Sequence, residues 1–168
     1  WIMLATGVRI GECMGAIWSD TLPAKTGEAR HLLQDLQGRG TKYSEGLKVG
    51  IVDLSAGTWY LPATKNNRDH TIHLSAFAKV QFERLRNHRA KLPNSTELTP
   101  WIFPSPRDSS KPVCIKSFGK QLADRQRSPD KKMRGRSNKT ESLSLPNGRW
   151  TAHDLRTTGT IMARLGCS

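Results

Sequence analysis

Three short runs between Val49 and Leu74 have strand character, and helical patterns flank them on both sides. The runs are Val49 to Leu54, Thr58 to Pro62 and His70 to Leu74, with Ser55-Ala56-Gly57 as the turn between the first two. Between the second and third lies Ala63 to Asp69, a polar hairpin tip carrying Lys65 and Arg68. Helices, then a small sheet, then helices again give the α+β class, and 168 residues suit one domain.

The opening stretch Trp1 to Thr6 reads as the end of a buried helix stopped by Gly7. Ile10, Cys13, Met14 and Ile17 then recur at helical spacing, a core stripe that places Arg9 and Glu12 together on the neighbouring face. Residues 23–46 are rich in Gly, Lys, Glu and Gln around a short Leu32, Leu33, Leu36 cluster, and read as a mobile, insertion-like excursion reaching to about residue 48. Ser75 is a good N-cap for an amphipathic helix through Phe77, Val80, Arg84, Leu85 and His88, running to about Lys91 and ended by Pro93. Trp101-Ile102-Phe103 is a short apolar piece bracketed by prolines, and Ile115, Phe118 and Leu122 give a modest helical period. Periodicity is lost over residues 125–149, a basic loop with Arg125, Arg127, Lys131, Lys132, Arg134, Arg136 and Lys139. Thr151 to Asp154 has the form of a capping box, opening a helix packed through Leu155, Met162 and Leu165 and closed by Gly166.

Charge adds a second constraint. The chain has 27 Lys plus Arg against 14 Asp plus Glu, a formal charge of +13, and the whole excess falls after residue 60. Such an imbalance suits a polyanion, nucleic acid before membrane, because condensed counterions are released on contact; a solvated basic surface is the other reading. No apolar run approaches the roughly 20 residues that span a bilayer, and no secretory leader is recognisable, so a cytosolic protein is expected. Cys13, Cys114 and Cys167 are too few and scattered for a disulfide framework or zinc site. The chain starts at Trp1 inside an apolar run and stops at Ser168 where a helix would be capped, which reads as a fragment of a longer protein.

Three local arrangements could hold a phosphodiester. Arg9 stands at a helix start after Thr6-Gly7, with Glu12 one turn on, able to brace the guanidinium. His153 and Arg156 lie three residues apart in the first turn of the capped helix, where both would project to one side. Lys65, at a hairpin tip, could deliver a proton to a leaving oxygen. His70 and His73 face opposite sides of their strand and do not form a metal pair.

Taken in order, Ala5-Thr-Gly-Val-Arg9-Ile-Gly-Glu12, Thr64-Lys65-Asn66 and Thr151-Ala-His153-Asp-Leu-Arg156-Thr-Thr resemble the motifs of tyrosine recombinases of the phage-integrase type. Trp18-Ser-Asp20, the strand sequence Val52 to Pro62 and Trp101-Ile-Phe-Pro-Ser105 add to the resemblance, which spans all but residues 23–48 and 125–149. It implies an α+β, mainly helical DNA breaking-and-rejoining domain with a small antiparallel three-stranded sheet. In that family a tyrosine attacks the scissile phosphate to give a 3′-phosphotyrosyl link, with neither metal nor nucleotide cofactor. By this resemblance Arg9 and Arg156 clamp the phosphate, Lys65 protonates the leaving oxygen, His153 assists proton transfer and Glu12 orients the arginine pair. Double-stranded DNA is the implied partner, contacted also by Arg68, Arg125, Arg127, Lys131, Lys132, Arg134 and Arg136. The parent protein would be tetrameric on DNA and this chain a monomer. The family's nucleophilic tyrosine falls beyond the Arg156 position, whereas Tyr43 and Tyr60 lie upstream of it, so these residues are expected to bind DNA phosphate without cleaving it. A type IB topoisomerase and a non-catalytic basic nucleic-acid-binding module are the competing readings.

Overall fold

The computed structural model describes residues 1–62, 68–90, 99–131, 134–136 and 138–165. Lys65, Lys132, Gly166, Cys167 and the expected helix end at Lys91 and Pro93 lie outside them. Six α-helices are seen among the described residues: α1 Ile2–Thr6, α2 Ile10–Met14, α3 Thr26–Tyr43, α4 Ala76–Ala90, α5 Ile115–Arg125 and α6 Ala152–Arg164. With them stand the strands β1 Ala16–Trp18, β2 Gly50–Asp53, β3 Thr58–Leu61 and β4 His70–His73. The class is α+β.

The sheet is four-stranded in the order β1-β2-β3-β4, with β1 parallel to β2 and the other pairs antiparallel. This corrects the three-stranded antiparallel expectation. It also corrects the helical stripe, because Ile17 belongs to β1 and α2 stops at Met14. The segment from Ala16 to Trp18 is fully apolar and buried at every position, and Ile17 pairs with Trp101 on its outer side. A run buried on both faces has no strand alternation to betray it. Trp18 N donates to Pro100 O at 3.0 Å and Ile102 N to Ala16 O at 2.9 Å, so the proline-bracketed Trp101 piece completes the sheet edge.

Residues 23–46 are corrected too: most of them form the 18-residue α3. Its surface is polar nearly all round, with Leu36 as its buried anchor. Ion pairs such as Arg39 with Asp35 (2.8 Å) and Lys25 with Glu28 (3.3 Å) decorate it. Gln37 ties α3 to the sheet by accepting from Val49 N (2.8 Å) and donating to Leu47 O (3.0 Å).

Phe82 of α4 meets Trp59 at 5.6 Å and Trp18 at 6.1 Å, both edge to face, which fixes the helix on the sheet. The core face of α4 is therefore Ala78 and Phe82, with Leu85 partly buried, whereas Phe77 and Val80 of the expected face are exposed. Ser75 caps the helix as expected, accepting from Ala78 N at 3.2 Å. Helix α6 packs mainly against α1. Leu155 is partly buried there, but Met162 and Leu165 are exposed, contrary to the expected stripe. The closest approach is at Gly159, where any Cβ would run into the Leu4 carbonyl oxygen. Cys13 is buried in the core, and desolvation pushes its thiol up to about 12. No helix among the described residues is long and apolar enough to cross a membrane.

Candidate functional site

Helix α1 ends at Gly7, whose φ of 65° puts it in the left-handed region open to glycine, and its N–H closes the helix on Met3 O. The turn leaves the Gly7 carbonyl to accept from Arg156 Nε at 2.8 Å, a bond between groups 149 residues apart. This contact and the α1–α6 packing bring the two sequence-distant arginines to one place. Arg9, Glu12, Arg68 and Arg156 line a single cleft of about 330 Å³, together with Thr6, Gly7, Val8, Leu61, Asp69, His70 and Ile72.

Arg9 is the N-cap of α2 and is held by Glu12 in two ways. Its backbone N donates to Glu12 Oε2 at 2.7 Å, and its Nη1 to Glu12 Oε1 at 3.0 Å. The Glu12 side chain is 7% exposed and that of Arg9 is 40% exposed, so the carboxylate is sealed beneath a guanidinium that opens to solvent. An anion entering this cleft would meet the Arg9 guanidinium ahead of the Glu12 carboxylate. The expected helix-start donors are not available in the same way, since α2 has five residues and the Arg9 N–H is already taken by Glu12. Glu12 bonds to Arg9, while the Gly7 carbonyl accepts from Arg156.

On the far wall, Asp69 accepts from Tyr60 Oη at 2.7 Å, across the β3–β4 pair. That bond holds the Tyr60 phenol above its ordinary pKa, because the proton is anchored on a carboxylate. Both carboxylates lining the cleft are thus occupied by internal donors, whereas Arg9, Arg68 and Arg156 supply three cations.

His153 departs from expectation. It is exposed on the first turn of α6 and does not line the cleft that Arg156 enters. The cap itself differs in detail: Asp154 Oδ2 accepts from both Thr151 N (2.7 Å) and Thr151 Oγ1 (2.8 Å). Hydrogen bonds from Thr151 hold the Asp154 carboxyl below the usual carboxylate range.

The basic loop is folded back on itself. Gln126 and Trp150 exchange amide hydrogen bonds, with Gln126 Nε2 to Trp150 O at 2.8 Å and Trp150 N to Gln126 Oε1 at 2.9 Å. Trp150 Nε1 reaches Leu143 O at 2.9 Å, and Leu143 N donates to Arg125 O at 3.2 Å. Beneath this closure Asp124, only 5% exposed, draws in two loop arginines. Arg127 Nη2 lies 2.9 Å from Oδ1 and Arg136 Nη1 lies 3.3 Å from Oδ2. Lys131 and Arg134 are exposed, and Arg125 is half-buried. None of these loop cations lines the cleft.

Sequence reasoning passed over Asp69 and His70 as site residues. The available signal was the alternation of β4, which puts His70 and Ile72 on one face, but nothing in the sequence marks that face as lying opposite Arg9. Among the described residues no group of three or more His, Cys, Asp or Glu side chains could hold a metal ion. No protein-family model, curated protein or solved structure matches this chain.

Proposed function

We propose that this chain binds a DNA phosphodiester in the arginine cleft, as part of the catalytic domain of a tyrosine recombinase that cleaves and rejoins DNA strands. The observation that carries the reading is the convergence of Arg9 and Arg156, each fixed by its own partner, on one cleft. Two oriented guanidiniums can fork across the oxygens of one phosphate and stabilise the charge that grows there during transesterification. Glu12 keeps Arg9 aimed without exposing its own charge. Lys65 is the expected proton donor to the leaving oxygen, and by the resemblance His153 would assist proton transfer at the nucleophile, although it does not itself line the cleft.

Of the tyrosines, Tyr60 donates a hydrogen bond from its phenol to Asp69, which holds the phenol above its ordinary pKa and makes it a poor nucleophile. On this reading the chain holds the phosphate without forming a covalent link to it, because Tyr43 and Tyr60 both lie upstream of the position that the resembling family uses for its nucleophile. The exposure of His153 favours one alternative, a non-catalytic phosphate-binding module, in which the same arginines bind and no proton relay exists.

Fluorescence anisotropy of a labelled DNA duplex tests the binding claim. Arg9→Ala or Arg156→Ala should each weaken binding by roughly tenfold, the worth of one charge-assisted hydrogen-bonding group. Affinity unchanged in both variants would remove the reading. No covalent DNA adduct is expected in a denaturing gel, and the appearance of one would refute the assignment of Tyr60.

A further inference from the structure

Strand β4 carries two exposed histidines, and only one of them faces the cleft. Side chains alternate along a strand, so His70 shares its face with Ile72 and both line the cleft, while His73 falls with Thr71 on the other face. The register sets His70 opposite Leu61, another cleft residue, at the end of the β3–β4 pair. His70 thus occupies the wall of the cleft that faces Arg9 and Arg156.

The charged surroundings of His70 suit an anion ligand. Arg68 and Asp69 precede it in the chain just before β4, Arg9 and Glu12 stand on the α2 side, Arg156 on α6 and Tyr60 on β3. Glu12 is bonded to Arg9, and one oxygen of Asp69 accepts from Tyr60 while its charge is kept, so three guanidiniums stand against two carboxylates in the cleft lining. Three guanidiniums and one imidazole remain as the groups lining the space that can donate to a ligand. A neutral imidazole offers one N–H donor and a protonated one offers two. A phosphodiester has two non-bridging oxygens, each with more than one lone pair, so arginines on one side leave acceptor capacity on the other.

We propose that His70 is a third phosphate-contacting group of this cleft, donating an imidazole N–H to a non-bridging oxygen of the phosphodiester held by Arg9 and Arg156. The inference rests on the phosphate-binding reading of the cleft and adds a residue to it. It also separates the histidines by place: His70 touches the phosphate, and His73 and His153 do not.

His73 is a matched control, because it lies on the same strand, is also exposed and differs in the face it occupies. Binding of a short labelled DNA duplex is measured for the 168-residue chain and for His70→Ala, His73→Ala, Arg9→Ala and Arg156→Ala, with thermal melts to verify folding. His70→Ala is expected to weaken binding about three- to tenfold, as for one hydrogen bond to a charged group. His73→Ala should stay within about twofold. An NMR titration of the unsubstituted chain with the same duplex supplies a second readout, in which the His70 ring protons shift and those of His73 do not. Equal behaviour of His70 and His73 in both measurements overturns the inference. If the arginine variants lose binding while His70→Ala does not, this inference fails and the cleft stands; if the arginine variants are silent as well, the cleft reading falls with it.

Discussion

The cleft and the basic loop both collect arginines, yet they use them in opposite ways. In the cleft, a sealed carboxylate and a backbone carbonyl hold Arg9 and Arg156 while Arg9 keeps 40% of its side chain open to solvent. In the loop, Asp124 lies beneath Arg127 and Arg136, and the Arg127 side chain is left with 14% exposure. The first arrangement points cations outward with their geometry fixed; the second spends them on closing a loop. A formal charge of +13 does not distinguish these cases, because what a guanidinium can do for a ligand depends on which partners it already has.

The sharpest way to break the comparison is to remove the loop's anchor. Asp124→Ala leaves two arginines around an empty, mostly buried position and should cost about 3 kcal/mol of stability, read from denaturant midpoints. DNA affinity of the folded fraction should not fall, because the cleft does not include this cluster. Next in size is Gly159→Val. Its side chain collides with the Leu4 carbonyl and pushes α6 from α1, costing about 2 kcal/mol and weakening DNA binding as Arg156 is displaced. Replacing the exposed loop cations Lys131 and Arg134 with Ala should change affinity by less than about twofold each at moderate salt, since they contribute mainly screened, long-range attraction.

The smallest expected effect concerns the start of α6. Asp154→Ala removes the bonds to Thr151 and should lower the melting temperature modestly at neutral pH. The Asp154 carboxyl is held below its unfolded value, so its contribution is present above the ordinary carboxylate range and is lost as pH falls through the depressed folded value. Melting curves of the two proteins should therefore converge in acid.

Much of the fold was legible where a local signal and the tertiary structure agree. Gly7 ends α1, Ser75 starts α4, Thr151 and Asp154 start α6, and the three strands from Gly50 to His73 lie within a residue or two of the runs that announce them. Reading failed where burial overrode pattern. Ile17 fits a helical repeat with Ile10, Cys13 and Met14, but it is paired on both sides in the sheet. Helix α3 escaped notice because its long, polar surface carries only a short apolar stripe, Leu36 buried with Leu32 and Leu33 partly buried, which Gln37 and ion pairs supplement. In α4 the small Ala78 lies at the core while the larger Phe77 and Val80 stay outside, a choice made by the ring packing of Phe82.

The site divides along the same line. The spacing from Arg9 to Glu12 is local, and their ion pair was readable from it. The meeting of Arg156 with Gly7 is not local, and no spacing in the sequence announces it. His153 shows the limit: sharing a helical turn with Arg156 did not carry it into the cleft. His70 shows the converse, a residue without a motif that the sheet delivers to the same space.

The central claim is that held arginines in the cleft, and not the count of cations, bind the phosphate. Its most direct test compares two double variants of equal charge, Arg9→Ala with Arg156→Ala and Lys131→Ala with Arg134→Ala, in duplex-DNA binding at one salt concentration. The account predicts a loss of at least about thirtyfold for the first pair and less than about threefold for the second. Equal losses in the two pairs would contradict it and make binding a property of net charge alone.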